Sequence, residues 1–214
     1  MRLRAVEPGD WETFFAWNDD DFSARHSSSI TFPESREAVK RWTEQVATSE
    51  PANDRARWAI ENLTGELVGT ITTHTCDRRA GTFMYGLVIA AAHQHRGYAR
   101  EAVQLVLRYF FEELGYQKVT VHVYDFNLPS QQFHERLGFQ PEGRLRRMIY
   151  TNGAHHDDLV YGLLREEFTT DIPPIDDTPE NQRERVPRAA PSLDRGREGS
   201  PHLGSPGRTV PFRG

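Results

Sequence analysis

The period of the apolar positions changes several times along the chain, and each change marks an element. Residues 2–6 alternate and predict a short strand. Glu7, Pro8, Gly9 and Asp10 have turn chemistry, and Asp10 is placed to cap a helix opening at Trp11. Trp11, Phe14, Phe15 and Asn18 follow at helical spacing until Asn18, Asp19, Asp20 and Asp21 break the pattern. A second helix is predicted over 35–46, with Val39, Trp42 and Val46 on one stripe. Two strand-like runs, 57–61 and 66–73, flank the hairpin signal Asn62-Leu63-Thr64-Gly65, and 83–89 is a third. The strongest helical pattern spans 99–114, carries Ala102, Val103, Val106, Leu107, Phe110, Phe111 and Leu114 on its apolar face, and stops at Gly115. Val119, Val121 and Val123 alternate through a strand at 118–124. A short helix at 130–137 closes on Gly138, and strands at 144–150 and 158–164 are joined across Asn152-Gly153.

This order, β-α-α-β-β-β-α-β-α-β-β, predicts a mixed α/β (α+β) domain with one long helix in mid-sequence. It also predicts two parts, a folded domain over 1–169 and a tail over 170–214. The tail holds eight of the 13 prolines and five of the 16 glycines, with large apolar residues scattered without period. Such a segment buries too little apolar surface to offset its chain entropy, so it is expected to be disordered.

Charge and cysteine content narrow the function. The tail is charge-balanced, so the net charge of −5 belongs to the domain. A mildly acidic domain argues against nucleic acid and suits cationic acceptors such as amines. Cys76 is the only cysteine, which rules out an intramolecular disulfide and fits a reducing compartment. With no apolar run of membrane length and no signal-peptide pattern, a cytoplasmic protein without membrane contact is expected.

The candidate chemistry begins at Gln94-His95-Arg96-Gly97-Tyr98-Ala99, a turn between a strand and the long helix. A tight turn at a helix start aims unpaired N–H groups in one direction, and the helix dipole favours negative charge there. Gly97 lets the backbone approach a phosphate, Ala99 keeps the helix entry small, and Arg96 and Arg100 add charge. About 30 residues later comes Asn127-Leu128-Pro129-Ser130-Gln131-Gln132-Phe133-His134-Glu135-Arg136-Leu137-Gly138-Phe139.

The two motifs in register resemble the signature of the GNAT superfamily of N-acetyltransferases over residues 2–168. Pro141 to Arg146, and Tyr150-Thr151-Asn152-Gly153 followed by Asp157, resemble its ribosomal-protein N-terminal and spermidine acetyltransferase branch. The resemblance implies a central mixed, mostly antiparallel twisted sheet of about six or seven strands with helices on both faces. It implies acetyl-CoA as co-substrate and no metal. Leu87, Val88 and Ile89 would pair their backbone with the pantetheine arm. Gln94, His95, Arg96, Gly97, Tyr98, Ala99 and Arg100 would hold the pyrophosphate. Asn127 would contact the cofactor through its side-chain amide, with a turn or helix cap as its competing reading, and Ser130 would lie near the thiol end.

The catalytic pattern departs from the family at two places. Polyamine-type relatives carry a glutamate early in the strand before the loop; Met84 stands there. Many relatives carry a tyrosine general acid seven residues after the motif asparagine; His134 stands there. His134 and Ser130 are therefore the catalytic candidates, with an ordinary helix position as the competing reading of His134 and a helix cap as that of Ser130. His74 and Asp77 are candidate bases, and a water chain is the alternative. Asp157 or Asp158 could instead meet the acceptor amine. Trp11, Phe14, Phe15, Trp17 and Phe22 pack a core or wall the acceptor site, and Asp19, Asp20 and Asp21 could attract a cation. The pairs His93/His95 and His155/His156 do not form a convincing metal set.

The expected function is acetyl transfer to a primary amine, with a protein or peptide N-terminal α-amine preferred. Small-molecule amines (polyamine, aminoglycoside or amino-acid-like) and a non-catalytic acyl-CoA-binding module are the alternatives. A homodimer is open, since many relatives dimerise and no interface signature is legible.

Overall fold

The computed structural model describes residues 1–18, 33–50 and 52–171. Asp19, Asp20, Asp21, Phe22 and all but the first two residues of the expected tail lie outside the described residues. The order of elements is β1 (Arg2–Ala5), α1 (Trp11–Trp17), α2 (Arg36–Thr48), β2 (Arg57–Glu61), β3 (Leu67–Asp77), β4 (Thr82–Ile89), α3 (Tyr98–Arg108), β5 (Lys118–Tyr124), α4 (Leu128–Arg136), β6 (Gln140–Thr151) and β7 (Ala154–Leu164). The strands form one seven-stranded sheet in the order β1-β2-β3-β4-β5-β7-β6. Every neighbouring pair is antiparallel except β4–β5, which is parallel and joined by the α3 crossover.

Two apolar clusters divide the faces of the sheet. Phe83, Val103, Leu107, Phe110, Phe111, Val119, Val121 and Leu163 belong to the larger one, which carries α3. Phe83 stacks on Phe110 at 4.1 Å between centroids and meets Phe111 and Tyr116 edge-on. Each buried ring stabilises the fold by roughly 1.5–3 kcal/mol. After Arg108 the helix widens into a π-turn, Tyr109–Glu113, where the Leu114 N–H reaches back to the Tyr109 carbonyl. Phe110 and Phe111 are both buried in this turn, so the regular α-helix ends at Arg108, earlier than its periodicity predicts, and the π-turn carries the apolar face on to Glu113. The smaller cluster joins Phe14 of α1 and Val39 of α2 to Val6, Ala59 and Leu67.

Several local expectations change. Asp10 does not cap α1. Its carboxylate accepts from both terminal nitrogens of Arg4 and from the Glu7 N–H, while Arg4 also bonds Glu61. A half-buried guanidinium competes successfully for the same oxygens that a cap would use. Ser35 does cap α2, accepting from the Ala38 N–H. Asn152 and Gly153, at φ of 51° and 76°, make the expected tight hairpin turn, but the strands on either side are longer than their alternation predicts. No helix among the described residues is long and apolar enough to cross a membrane.

Candidate active site

The site lies where β4 and β5 part. Their parallel pairing is confined to Thr82–Lys118, Phe83–Val119 and Met84–Thr120. Beyond these rungs β4 stays paired to β3 as far as Ile89, and β5 stays paired to β7 as far as Tyr124. The two inner edges diverge, and a cleft of about 370 Å³ opens between them. Leu87, Val88 and Ile89 form one rim of this split, half-buried, with their outer edge hydrogen-bonded to β3.

Cross-strand register assigns the cleft walls to faces. Arg57, Thr72 and Gly86 lie in line across three strands, as do His74, Met84 and Thr120. Alternation then puts Arg57, Thr70, Thr72, His74, His122 and Tyr124 on the face that carries α1 and α2. Tyr85, Leu87, Val121 and Val123 project to the other face, toward the core under α3. All of them line the same cleft, which therefore runs through the sheet.

The turn at one end of the cleft has the form its sequence predicts. Gln94 Nε2 donates to the Ile89 carbonyl at 3.2 Å and ties the turn to the end of β4. His95 and Gly97 take φ of 61° and 86°. A Cβ at Gly97 would meet nothing within 4 Å, so conformation rather than space calls for glycine there. The first i→i−4 bond of α3 runs from the Glu101 N–H to the Gly97 carbonyl, so the N–H groups of Tyr98, Ala99 and Arg100 have no helical acceptor. Arg96 and Arg100 are exposed beside them, Arg100 within 3.5 Å of Asp171.

At the other end stands α4. Its cap is Asn127, whose Oδ1 accepts from the Ser130 N–H at 3.2 Å. This corrects the reading of Ser130 as the cap: Ser130 is the third helical residue, and Pro129 occupies a first-turn position where its missing N–H costs nothing. His134 is buried, with 6% exposure. Its Nδ1 lies 2.8 Å from the Ser130 carbonyl and 3.4 Å from the Ser130 hydroxyl, and its Nε2 lies 2.8 Å from the Tyr85 hydroxyl. A carbonyl only accepts, so Nδ1 carries the proton and Nε2 accepts from Tyr85. Burial pulls the imidazole down to about 4, against an opposing pull from the Ser130 carbonyl. Burial likewise pushes the Tyr85 phenol well above its ordinary value. Both groups are therefore neutral at pH 7. Tyr85 was not legible as a site residue, since it lies 49 positions from His134 in an ordinary strand pattern.

The other face holds a second imidazole. His122 Nδ1 lies 2.6 Å from Asp158 Oδ2. Asp158 is buried, and its other oxygen has no hydrogen-bond partner among the described residues. His74 also lines the cleft, its pKa lowered by burial and by the nearby Arg55 and His122. Asp77 turns away to accept from the Arg79 and Ala80 N–H groups and does not line the cleft. Asp157 is held by Arg144 and the Arg147 N–H, whose bonds keep its carboxyl below the usual range. Cys76 is half-buried, and burial raises its thiol, as expected for a structural cysteine. His93 pairs with Glu66 and His156 with Asp125, and no group of three or more metal-ligating side chains is assembled among the described residues.

A parallel seam that opens in mid-sheet beside an anion-type helix start is the arrangement that the resemblance to acyltransferases working on an acyl-CoA thioester implies. The chain belongs to the acetyltransferase (GNAT) domain family, whose model matches residues 1–140. It is 40% identical over 168 residues to the SPbeta prophage-derived uncharacterized N-acetyltransferase YokL of Bacillus subtilis, covering 78% of this chain and 92% of that protein. It is 27% identical to the spermidine N(1)-acetyltransferase of Vibrio cholerae, over 78% and 95% of the two chains. Among solved structures, the Vibrio cholerae spermidine N-acetyltransferase in complex with CoA and spermine superposes with a TM-score of 0.68 at 23% identity, covering 78% and 96%. The protein is thus an acetyl-CoA-dependent N-acetyltransferase.

Proposed function

We propose that the chain acetylates the α-amine of a protein or peptide N-terminus. The observation that carries this choice is the cleft wall: among the described residues it contains no carboxylate, and it does contain Arg57. A polyamine brings several positive charges that such a wall would repel. The Arg57 guanidinium rests over the Trp42 ring at 5.2 Å, has no ion-pair partner among the described residues, and is pulled below its ordinary pKa by burial. Such a group favours an acceptor whose amine is followed by carbonyls or a carboxylate, as in a peptide.

The cleft suits an extended, amide-containing arm. The inner edge of 87–89 offers strand-type pairing, and the turn over 94–100 offers N–H groups and two arginines for a pyrophosphate. When bound, acetyl-CoA supplies an activated acetyl thioester. Asn127 fixes the helix start that faces it. Ser130 Oγ–H then gives a proton to the departing sulfur. His134 Nδ1–H stands behind Ser130 to replace that proton, His134 Nε2 takes one from Tyr85 in turn, and Tyr85 regains its proton from the cleft that it lines, which closes the relay. In this reading residues 1–169 are the catalytic unit.

The test is acetyl-CoA-dependent thiol release by the full chain with N-terminal peptides, free amino acids, spermidine and an aminoglycoside. Peptides are expected to exceed spermidine in kcat/KM by about tenfold or more. Arg57→Gln is expected to raise KM for a peptide with an acidic second residue by about tenfold, the worth of one charge-assisted hydrogen bond. A preference for spermidine would overturn the peptide reading, and tight acetyl-CoA binding without turnover on any amine would favour a binding module.

A further inference from the structure

Acetyl transfer to an ammonium acceptor requires a group that takes its proton, and none of the relay residues can do so. His134 and Tyr85 are buried on the core face with their polar atoms committed to fixed partners, and Met84 carries no basic group. We propose that His122 is the general base for the acceptor amine and that Asp158 holds it in the active tautomer. The proposal rests on the amine-acetylating reading above.

The geometry follows from the sheet. His122 pairs with Val160 and Tyr124 with Asp158, so His122 and Asp158 are diagonal neighbours on the acceptor face. A carboxylate only accepts, so the 2.6 Å contact places the ring proton on Nδ1. That leaves the lone pair on Nε2, which has no hydrogen-bond partner among the described residues. The ring lines the cleft, with its side chain 36% exposed, against 11% for the Asp158 side chain. The buried Asp158 oxygen without a partner completes the argument. A carboxylate left partly unsatisfied away from water gains most when positive charge develops beside it, as happens when the imidazole becomes imidazolium.

The step balances. Nε2 takes one proton from R–NH₃⁺. The freed nitrogen lone pair forms the C–N bond at the thioester carbonyl, the C–S bond breaks, and its electron pair leaves with sulfur, which is protonated. The amide nitrogen loses its second proton into the cleft, which offsets the proton that sulfur drew from Ser130, and the imidazolium returns one proton to solvent. The charged and titratable groups facing His122 are Asp158 and, further along β7, His156, which Asp125 holds. Tyr124 lies on its own strand, His74 on β3 and Arg57 on β2, with Arg55 beside His74. Among the described residues, Asp158 is the one hydrogen-bonded to the ring.

Two measurements test the dyad. The first is the pH profile of kcat/KM for wild type and His122→Gln with the best acceptor. His122→Gln is expected to lose about 100-fold and to lose the acid limb of the profile, while the acetyl-CoA dissociation constant changes by less than about twofold. An acid limb kept in His122→Gln, or lost in His74→Gln instead, would overturn the assignment. The second is imidazole nitrogen NMR of the free protein, which needs no turnover. A protonated Nδ1 and an unprotonated Nε2 on His122, with this bias lost in Asp158→Asn, are expected; an Nε2-protonated ring in the wild type would overturn the proposal. If wild type turns over no amine, the amine-acetylating reading fails while the NMR result still decides the tautomer.

Discussion

The two faces of the cleft hold the same side chain in opposite settings. On the core face, His134 is closed in by Phe133, Phe139 and Tyr85, with both ring nitrogens engaged. On the acceptor face, His122 is anchored by one nitrogen to a carboxylate and lines the open cleft. The first ring can pass a proton only between fixed partners. The second can accept one from a molecule that arrives. A histidine is therefore not a role; burial and the partner of Nδ1 choose between relay and base.

The largest expected effect that would break this contrast concerns stability. His134 has its folded pKa depressed to about 4 from an ordinary 6.5, so the unfolded chain binds the extra proton. The stability it contributes is present above about pH 6.5 and is lost as pH falls through about 4, a loss on the order of 3 kcal/mol. Urea denaturation across that window should show it, and the slope should flatten in His134→Gln. An unchanged slope in the variant would mean that His134 is not sealed. A smaller effect concerns turnover. Ser130→Ala removes the last donor of the relay and should lower kcat by about 30-fold, with little change in KM for acetyl-CoA. Equal loss in kcat and acetyl-CoA affinity would make Ser130 a binding residue instead. The smallest effect sits where neither histidine reaches. Gly97→Ala forces a side chain into a left-handed turn at a cost of about 1 kcal/mol, so acetyl-CoA should bind about fivefold more weakly by calorimetry while the pH profile keeps its shape.

What the sequence disclosed, and what it hid, divides along the same line. Features set by neighbours in the chain were legible: the turn at Gln94 to Ala99, the alternation of Val119, Val121 and Val123, and the Asn152-Gly153 turn. Cap choice was less legible, because Asn127 and Ser130 are both good caps and only the placement of Pro129 inside the first turn distinguishes them. The acid–base pairs were not legible at all. His122 and Asp158 lie 36 positions apart and Tyr85 and His134 lie 49, so each pair exists only through register between strands or the packing of a helix on one. One weak signal was available: within the valine alternation, His122 puts a titratable side chain on the opposite, polar face. Arg4, Asp10 and Glu61 repeat the lesson, since Asp10 has ideal cap chemistry and loses it to a guanidinium on β1.

The three rungs between β4 and β5 also have a mechanical meaning. Each arm of the split is braced from outside, β4 by β3 and β5 by β7, so the sheet behaves as two stiff plates sharing a short hinge. Its line of least cohesion runs through the centre rather than along the rims, where sheets ordinarily fray. A molecule that bridges the plates would add rungs to that hinge and brace it. The gap that admits the reactants is then also the place where their binding would strengthen the fold.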